Sequence, residues 1–382
     1  MDRMVSSEDA AKRLGVKVST VYAYVSRGLL VSHPNPAGRG SLFDLGEIER
    51  FAVRSRGGRQ TESRLATITT GVTQLHQDTG PRYRGHEATD LVGRLSFEQV
   101  AALVWEEEPD PFPWPIPDLG RCPLPETLDR MRWALVLCGA TDRLRSDLRP
   151  PSVTRAARRV VAALTDVAGT GEGAPSDASI AVRLAHRLGA PDPSGVAVAL
   201  EGALILMADH ELATSTMAVR VAASVHADVY DALSAGLATL AGPLHGGASQ
   251  LAYELLVVAE RDGVDRALND VLRELRLVPG FGHTVYKNGD ARYHALMALT
   301  EPLLTPERRA LVYEMVEVAQ AHQVPLPNCD LALAALSWGT GLPPDTGRTV
   351  FAIARVVGWT AHYLEELQER PLRFRARAIY SV

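Results

Sequence analysis

The chain has 382 residues, 46% of them hydrophobic and 22% charged, with a formal net charge of -5. These proportions support a sizeable core spread over more than one domain. They exclude wholesale disorder and a surface basic enough to bind nucleic acid everywhere. The charge is uneven, because residues 1–60 hold ten Lys and Arg against six Asp and Glu, about +4, leaving about -9 for the remainder. Cys122, Cys138 and Cys329 form no CxxC pair and no zinc-ligand spacing, so they read as small hydrophobes in a reducing compartment. No basic segment leads into an apolar run at the start, and the best apolar stretch, Val196–Ala208, is short and interrupted by Glu201. The default expectation is a cytoplasmic protein without a membrane partner.

Along the chain, Ser7 precedes Glu8, Asp9, Ala10 and Ala11, an N-cap and acidic first turn for a helix ending at Leu14-Gly15. Ser19 is placed to cap a second helix, Thr20 to Arg27, which stops at Gly28. Two helices around a tight turn make a helix-turn-helix. The run Ala10-Ala11-x-x-Leu14-Gly15-Val16, with Val21-Tyr22-x-Tyr24-Val25-x-Arg27-Gly28-Leu29-Leu30, resembles the MerR/excisionase-like class of that module. The resemblance implies a wing at Gly40–Asp44, a following helix around Glu47 to Val53, and a domain over residues 1–56. Its second helix would enter a DNA major groove, with Lys17, Arg27 and Arg39 contacting phosphates. Residues 55–61 read as a linker.

From residue 62 onward the pattern is helical. Apolar residues recur at three- and four-residue intervals over Phe97–Glu107, Leu128–Cys138, Ser152–Val167, Ser179–Leu188, Val196–Asp209, Met217–His226, Ser249–Arg261, Pro306–His322 and Thr346–Leu367. Strands are expected only as a hairpin of Leu65–Val72 with Gln74–Gln77. Seven prolines over 109–127 predict an extended loop, and 168–177 a flexible connector. The fold class is therefore all-α, with no internal repeat.

Three stretches place polar side chains within Gly/Pro punctuation. In Ala241-Gly242-Pro243-Leu244-His245-Gly246-Gly247-Ala248, His245 is expected at a helix N-terminus, where the dipole favours a neutral ring able to donate a hydrogen bond to a carbonyl oxygen. In Val278-Pro279-Gly280-Phe281-Gly282-His283-Thr284-Val285-Tyr286-Lys287, two glycines let the backbone approach a ligand and His283 lies on a loop. Asp290-Ala291-Arg292 follows, and Arg292 can grip a carboxylate with two prongs. In Pro325-x-Pro327-Asn328-Cys329-Asp330 an acid opens an apolar helix. Taken singly, His245 reads as a turn residue and Asp330 as a charge complementing the helix dipole.

Taken together, these stretches resemble the citrate synthase family from about Leu65 to the C-terminus. Supporting motifs are Arg82-Tyr83-Arg84-Gly85-His86, Ser96-Phe97-Glu98-Gln99-Val100-Ala101, Ala208-Asp209-His210-Glu211-Leu212-x-x-Ser215-Thr216, Arg355-Val356-Val357-Gly358-Trp359-x-x-His362 and Arg375-x-Arg377-x-x-Tyr380. The resemblance implies a large helical domain over 62–245 and 336–382 and a small one over 246–335 that closes on the substrate. It implies that Asp330 takes a proton from the acyl-CoA carbon beside the thioester, His245 donates to the enolate oxygen, and His283 polarises the oxaloacetate ketone. His210, Arg292, Arg355 and Arg375 would hold carboxylates, with Arg375 coming from the partner subunit of a homodimer. Val278, Pro279, Gly280, Phe281 and Gly282 would contact the CoA adenine through their backbone. No metal and no cofactor beyond the CoA thioester are implied.

The chain departs from the family pattern at Ala213, Ala291, Cys329 and Ala376, none of which removes a catalytic group. Three functions remain open at this point: a citrate synthase using acetyl-CoA, a 2-methylcitrate synthase using propionyl-CoA, and a DNA-binding regulator whose synthase-like body senses metabolites. Retention of His245, His283 and Asp330 favours an enzyme, since a sensor needs no base.

Overall fold

A computed structural model describes residues 4–14, 16–26, 29–35, 40–48, 51, 68–109, 113–175, 177–242, 245–275 and 277–375. The expected linker at 55–61, two of the three expected DNA contacts (Arg27 and Arg39), and the terminal Arg377 and Tyr380 lie outside the described residues. The chain divides into two units, Met1–Thr69 and Thr70–Val382.

In the first unit, helices Ser7–Leu14 and Val18–Ser26 bury Ala10, Ala11, Leu14 and Val21 together with Leu30, Phe43 and Ile48. The first helix is capped one residue earlier than expected. Ser6 Oγ accepts the Asp9 N–H at 3.1 Å, and Ser7 is buried within the helix. The second helix starts at Val18, because the Lys17 carbonyl accepts from Thr20 and Val21, so Ser19 lies in the first turn rather than at the cap. Strand Ser41–Asp44 pairs antiparallel with Met4–Ser6 on one side and His33–Pro34 on the other.

Among its described residues, the regular structure of the second unit is helical apart from one small sheet. Its hairpin joins Thr73–His76 to Gly80–Tyr83, with His86–Glu87 as a third strand. Of the expected strands 65–72 and 74–77, residues 65–67 lie outside the described residues, and Thr73–His76 pairs with the chain that follows it because the reversal falls in the polar turn at 77–79. The helices are Ala88–Leu91, Phe97–Trp105, Thr127–Thr141, Pro150–Asp166, Ile180–Arg187, Pro193–Leu206, Thr214–Ala223, Val229–Leu240, Ala248–Asp262, Val264–Leu275, Ala291–Thr300, Pro306–Ala321, Cys329–Thr340 and Thr346–Leu367. Ser96 and Gln99 close a capping box, while Asp192 and Thr305 cap helices that begin on Pro193 and Pro306. Among the described residues no helix is long and apolar enough to cross a membrane.

One helix ending matters for the site. Pro193–Leu206 stops three residues short of the expected Asp209. The Tyr83 hydroxyl lies 3.0 and 3.1 Å from the carbonyls of Ile205 and Leu206 in the last turn, where the Ile205 carbonyl also accepts the Ala208 N–H at 3.2 Å. Asp209 and His210 follow in a non-helical segment. Helices Cys329–Thr340 and Thr346–Leu367 run through the centre of the unit and are buried over most of their length.

The proline-rich stretch forms no helix among its described residues and is anchored by Trp114, which stacks on Trp105 with centroids 5.9 Å apart. The 168–177 segment is more tightly held than its composition suggests. Gly171 N–H donates to the Arg187 carbonyl at 3.0 Å, and a Cβ on Gly169 would fall 1.9 Å from that same oxygen. Gly169→Ala is therefore expected to destabilise the protein by about 1–3 kcal/mol through overpacking. The check is a lowered denaturation midpoint compared with Gly173→Ala, where a Cβ would meet only the end of the Arg187 side chain at 3.7 Å.

Candidate active site

The segment after Val229–Leu240 folds back on the helix end. Gly246 N–H donates to the Leu240 carbonyl at 3.0 Å, and a Cβ at Gly246 would lie 2.5 Å from that oxygen. This reversal sets His245 three residues before Ala248–Asp262, in a turn rather than in the helix. Its Nε2 lies 2.9 Å from the hydroxyl of Ser215, a fully buried residue in the first turn of Thr214–Ala223. Burial lowers the His245 pKa, and the charge of Arg355 lowers it further. The neutral ring expected from the sequence is thus produced by desolvation and a neighbouring cation.

The 278–292 segment is tied to the one that carries Asp330. Gly282 N–H donates to the Leu326 carbonyl (2.8 Å), Asn328 N–H to the Gly280 carbonyl (2.9 Å), and Asn328 Nδ2 to the Gly282 carbonyl (2.7 Å). Gly280 and Gly282 have φ of +84° and +76°, the left-handed conformation that favours glycine. At Gly280 a Cβ would also press on Leu331 at 2.9 Å. The backbone groups of Val278, Pro279, Gly280, Phe281 and Gly282 are thus partly committed to internal bonds, including Phe281 N–H to the Val278 carbonyl.

His283 accepts the backbone N–H groups of Val285 (3.0 Å) and Tyr286 (3.3 Å) at Nδ1. Its proton therefore sits on Nε2, leaving that nitrogen as a donor. Burial, reinforced by the charge of Arg292, lowers its pKa to about 4. The His283 ring stacks on Tyr286 with centroids 4.5 Å apart, and the Tyr286 hydroxyl lies 2.9 Å from His210 Nε2. Burial and then the charges of Arg292 and Arg355 hold His210 well below the usual histidine range.

Arg292 is buried and bound at both prongs by Asp290, Nε to Oδ1 at 3.0 Å and Nη2 to Oδ2 at 2.9 Å, with its guanidinium 5.1 Å from the Tyr286 ring centroid. Arg355 is buried with Nε and Nη1 lacking any hydrogen-bond partner. A buried guanidinium with unused N–H groups is suited to an anionic ligand. Asn328 caps Cys329–Thr340 through the Asp330 N–H, which puts the Asp330 carboxyl at the first turn. Burial pushes that carboxyl up to about 6.

His210, His283 and Arg292 thus meet around Tyr286. The charge of Arg292 acts on Asp330, and that of Arg355 on both His210 and His245. Arg375 is exposed, near the end of the described chain. Sequence reasoning gave no role to Ser215, Tyr286, Asp290, Asp209 or His362. Asp290 had a local signal, an acid two positions before Arg292. His226, His294 and His322 are exposed. Among the described residues no group of three His, Cys, Asp or Glu could hold a metal ion.

The raised Asp330 carboxyl has a consequence for stability. An acid whose folded pKa lies above its unfolded value of 3.8 is protonated more readily in the native state, so its ionisation destabilises the fold. The penalty is absent below about pH 4, builds between 4 and 6, and is complete above 6. Asp330→Asn should therefore raise the melting temperature at pH 7.5, by a stabilisation on the order of 1–3 kcal/mol. The difference should close as the pH is lowered toward 4. A difference that persisted unchanged at pH 4 would contradict this assignment.

Comparison with known proteins gives a consistent family. A profile described as "Citrate synthase, C-terminal domain" matches residues 121–377. Citrate synthase 2 of Bacillus subtilis is 29% identical over 357 residues, covering 85% of this chain and 95% of that protein. The 2-methylcitrate synthase 2 of Corynebacterium glutamicum is also 29% identical, over 349 residues, covering 79% and 89%. The Thermoplasma acidophilum citrate synthase, solved as a ternary complex with carboxymethyl coenzyme A and oxaloacetate, superposes with a TM-score of 0.66 at 23% identity, over 86% of this chain and 96% of that one. The helical fold and a match spanning two-thirds of the sequence carry one conclusion: this chain belongs to the citrate synthase family of condensing enzymes.

Proposed function

We propose that this protein condenses acetyl-CoA with oxaloacetate and hydrolyses the resulting thioester to citrate and CoA. The observation that carries the reading is the gathering of two buried arginines, two neutral histidines and one acid of raised pKa around a single region. Arg292 and Arg355 would hold the oxaloacetate carboxylates with His210, joined by Arg375 of the partner subunit in a homodimer. Asp330, ionised at neutral pH, would take a proton from the acyl carbon. His245, oriented by Ser215, would donate to the enolate oxygen that forms. The Nε2–H of His283 would polarise the ketone while the enolate carbon attacks, and supply the proton that turns the alkoxide into a hydroxyl. Water would then cleave the thioester, releasing CoA as leaving group. The only coenzyme is the CoA consumed as substrate. The 278–282 loop would meet its adenine through the backbone groups not committed internally.

The second reading is a 2-methylcitrate synthase acting on propionyl-CoA, favoured by the equal identity to the Corynebacterium glutamicum relative. One methylene is worth only about 1–3 kcal/mol in a pocket, so the two substrates differ in degree. CoA release measured with acetyl-CoA and with propionyl-CoA, each with and without oxaloacetate, ranks them. Release that did not depend on oxaloacetate would overturn both readings. kcat/KM for the acyl-CoA should fall about tenfold per pH unit below about 6, as Asp330 takes up its proton. Asp330→Ala should lower turnover by orders of magnitude while leaving oxaloacetate binding within a few-fold.

For the N-terminal unit, a helix-turn-helix that contacts DNA is supported by two short successive helices over a common core, a strand after them, and an exposed Lys17 between them. Val18–Ser26 would enter the groove, and Lys17 would contact phosphate with Arg27 and Arg39. Retention of a random duplex pool at low salt should be lost on deleting residues 1–56 and should weaken steeply with salt. No retention at micromolar protein, together with a lower melting temperature for the truncated chain, would assign the unit a structural role instead.

A further inference from the structure

A buried polar row links Thr214–Ala223 to Thr346–Leu367. Arg220 is 0% exposed, and its Nε donates to Glu366 at 2.9 Å. Its Nη1 donates to Glu365 at 2.8 Å and to Nδ1 of His362 at 3.0 Å. Arg373 donates to the other oxygen of Glu366 at 2.6 Å. A guanidinium has only N–H donors, so Nδ1 of His362 must accept and the ring proton sits on Nε2. That nitrogen lies 3.3 Å from Oδ2 of Asp209, with both side chains 0% exposed. The same oxygen accepts the Glu211 N–H at 3.0 Å.

The far oxygen of Asp209 behaves differently. Oδ1 closes no hydrogen bond. It sits against Gly358, where a Cβ would fall 2.0 Å away, so only glycine leaves room for it. Gly358 stands three residues, one helical step, beyond Arg355, whose Nε and Nη1 are also unpartnered. Asp209 is the charge that most opposes the desolvation of Arg355. The contrast with Arg292 is informative, because Asp290 takes two of that guanidinium's faces in a bidentate pair. Asp209 serves Arg355 without bonding it, and the His362 and Glu211 N–H groups on Oδ2 hold it in that position. Glu365 and Glu366 stand against Arg220 and Arg373, as Asp209 stands against Arg355, so each buried guanidinium of the row has a carboxylate to offset it.

We propose that Asp209, held back by the His362–Arg220 row, is a positioning residue for the dicarboxylate substrate, neutralising Arg355 at a distance while leaving its Nε–H and Nη1–H free for a substrate carboxylate. The proposal rests on the reading of Arg355 as a carboxylate clamp. Asp209 touches no substrate and acts through Arg355.

The test measures oxaloacetate affinity by calorimetry, KM for each substrate and melting temperature in Arg355→Gln, Asp209→Asn, the double variant, His362→Gln and His362→Leu. Asp209→Asn should weaken oxaloacetate binding tenfold or more, with the acyl-CoA KM within twofold of the parent. In the Arg355→Gln background the same change should cost nothing further, because its partner is already gone. His362→Gln, whose amide can both accept from Arg220 and donate to Asp209, should stay within threefold of the parent, and His362→Leu should lose affinity as Asp209→Asn does. An additive double variant, or unchanged oxaloacetate affinity in Asp209→Asn, overturns the proposal. If Asp209→Asn does not fold, equal oxaloacetate affinity in His362→Gln and His362→Leu overturns it. Unchanged affinity in Arg355→Gln alone overturns the clamp reading itself, a separate outcome.

Discussion

The site is organised by one buried carboxylate. Asp290 accepts the backbone N–H of Arg292 at the start of Ala291–Thr300, binds the Arg292 guanidinium with both oxygens, and accepts the backbone N–H of Cys329 at 3.1 Å. Two helix starts and one cation therefore share a single anion. Losing one partner of such a buried pair costs about 3–5 kcal/mol, because the other is left uncompensated. Asp330 is the next residue after Cys329, so the placement of the proposed base is inherited from Asp290. His283 and Tyr286 precede Asp290 on a segment whose glycines are bonded to 326–328, and the two strips of chain act as one layer.

Around that anchor, burial works in opposite directions on acids and bases. It keeps His210, His245 and His283 neutral, and the nearby arginines add to the effect. It raises Asp330, whereas Asp290, which burial alone would also raise, is pulled below the usual carboxylate range by Arg292. Two carboxyls forty residues apart in sequence thus take different roles because one has a guanidinium in its grip and the other does not.

Much of this was legible from sequence. Thr346–Leu367 has the expected bounds, since its apolar spacing is regular and its ends are marked by polar residues. The loops bearing His245 and His283 stood out because glycine and proline interrupt helices there. The 168–177 connector misled, because glycine composition cannot distinguish a loose chain from one packed against the Arg187 carbonyl. The first strand of the hairpin was misplaced because Thr and Val near residue 70 suit a strand as well as Thr73–His76 does. Asp209, Ser215 and His362 stood within motifs shared with the citrate synthase family, but nothing local gave them a role. Asp209 and His362 lie 153 positions apart and meet only through the packing of two buried segments.

Helix Thr346–Leu367 carries Arg355, Gly358, His362 and Glu366 at steps of three, four and four along one face. Each residue of an α-helix advances the direction of its side chain by about 100°. A single inserted or deleted residue between Arg355 and Glu366 would swing one end of this row out of line with the other, and no local relaxation in a buried helix could restore both. This helix thus has a fixed length in the sense that a ruler does. The same constraint does not bear on a connection such as the proline-rich stretch, whose described residues are anchored at Trp114 and carry no residue of the site.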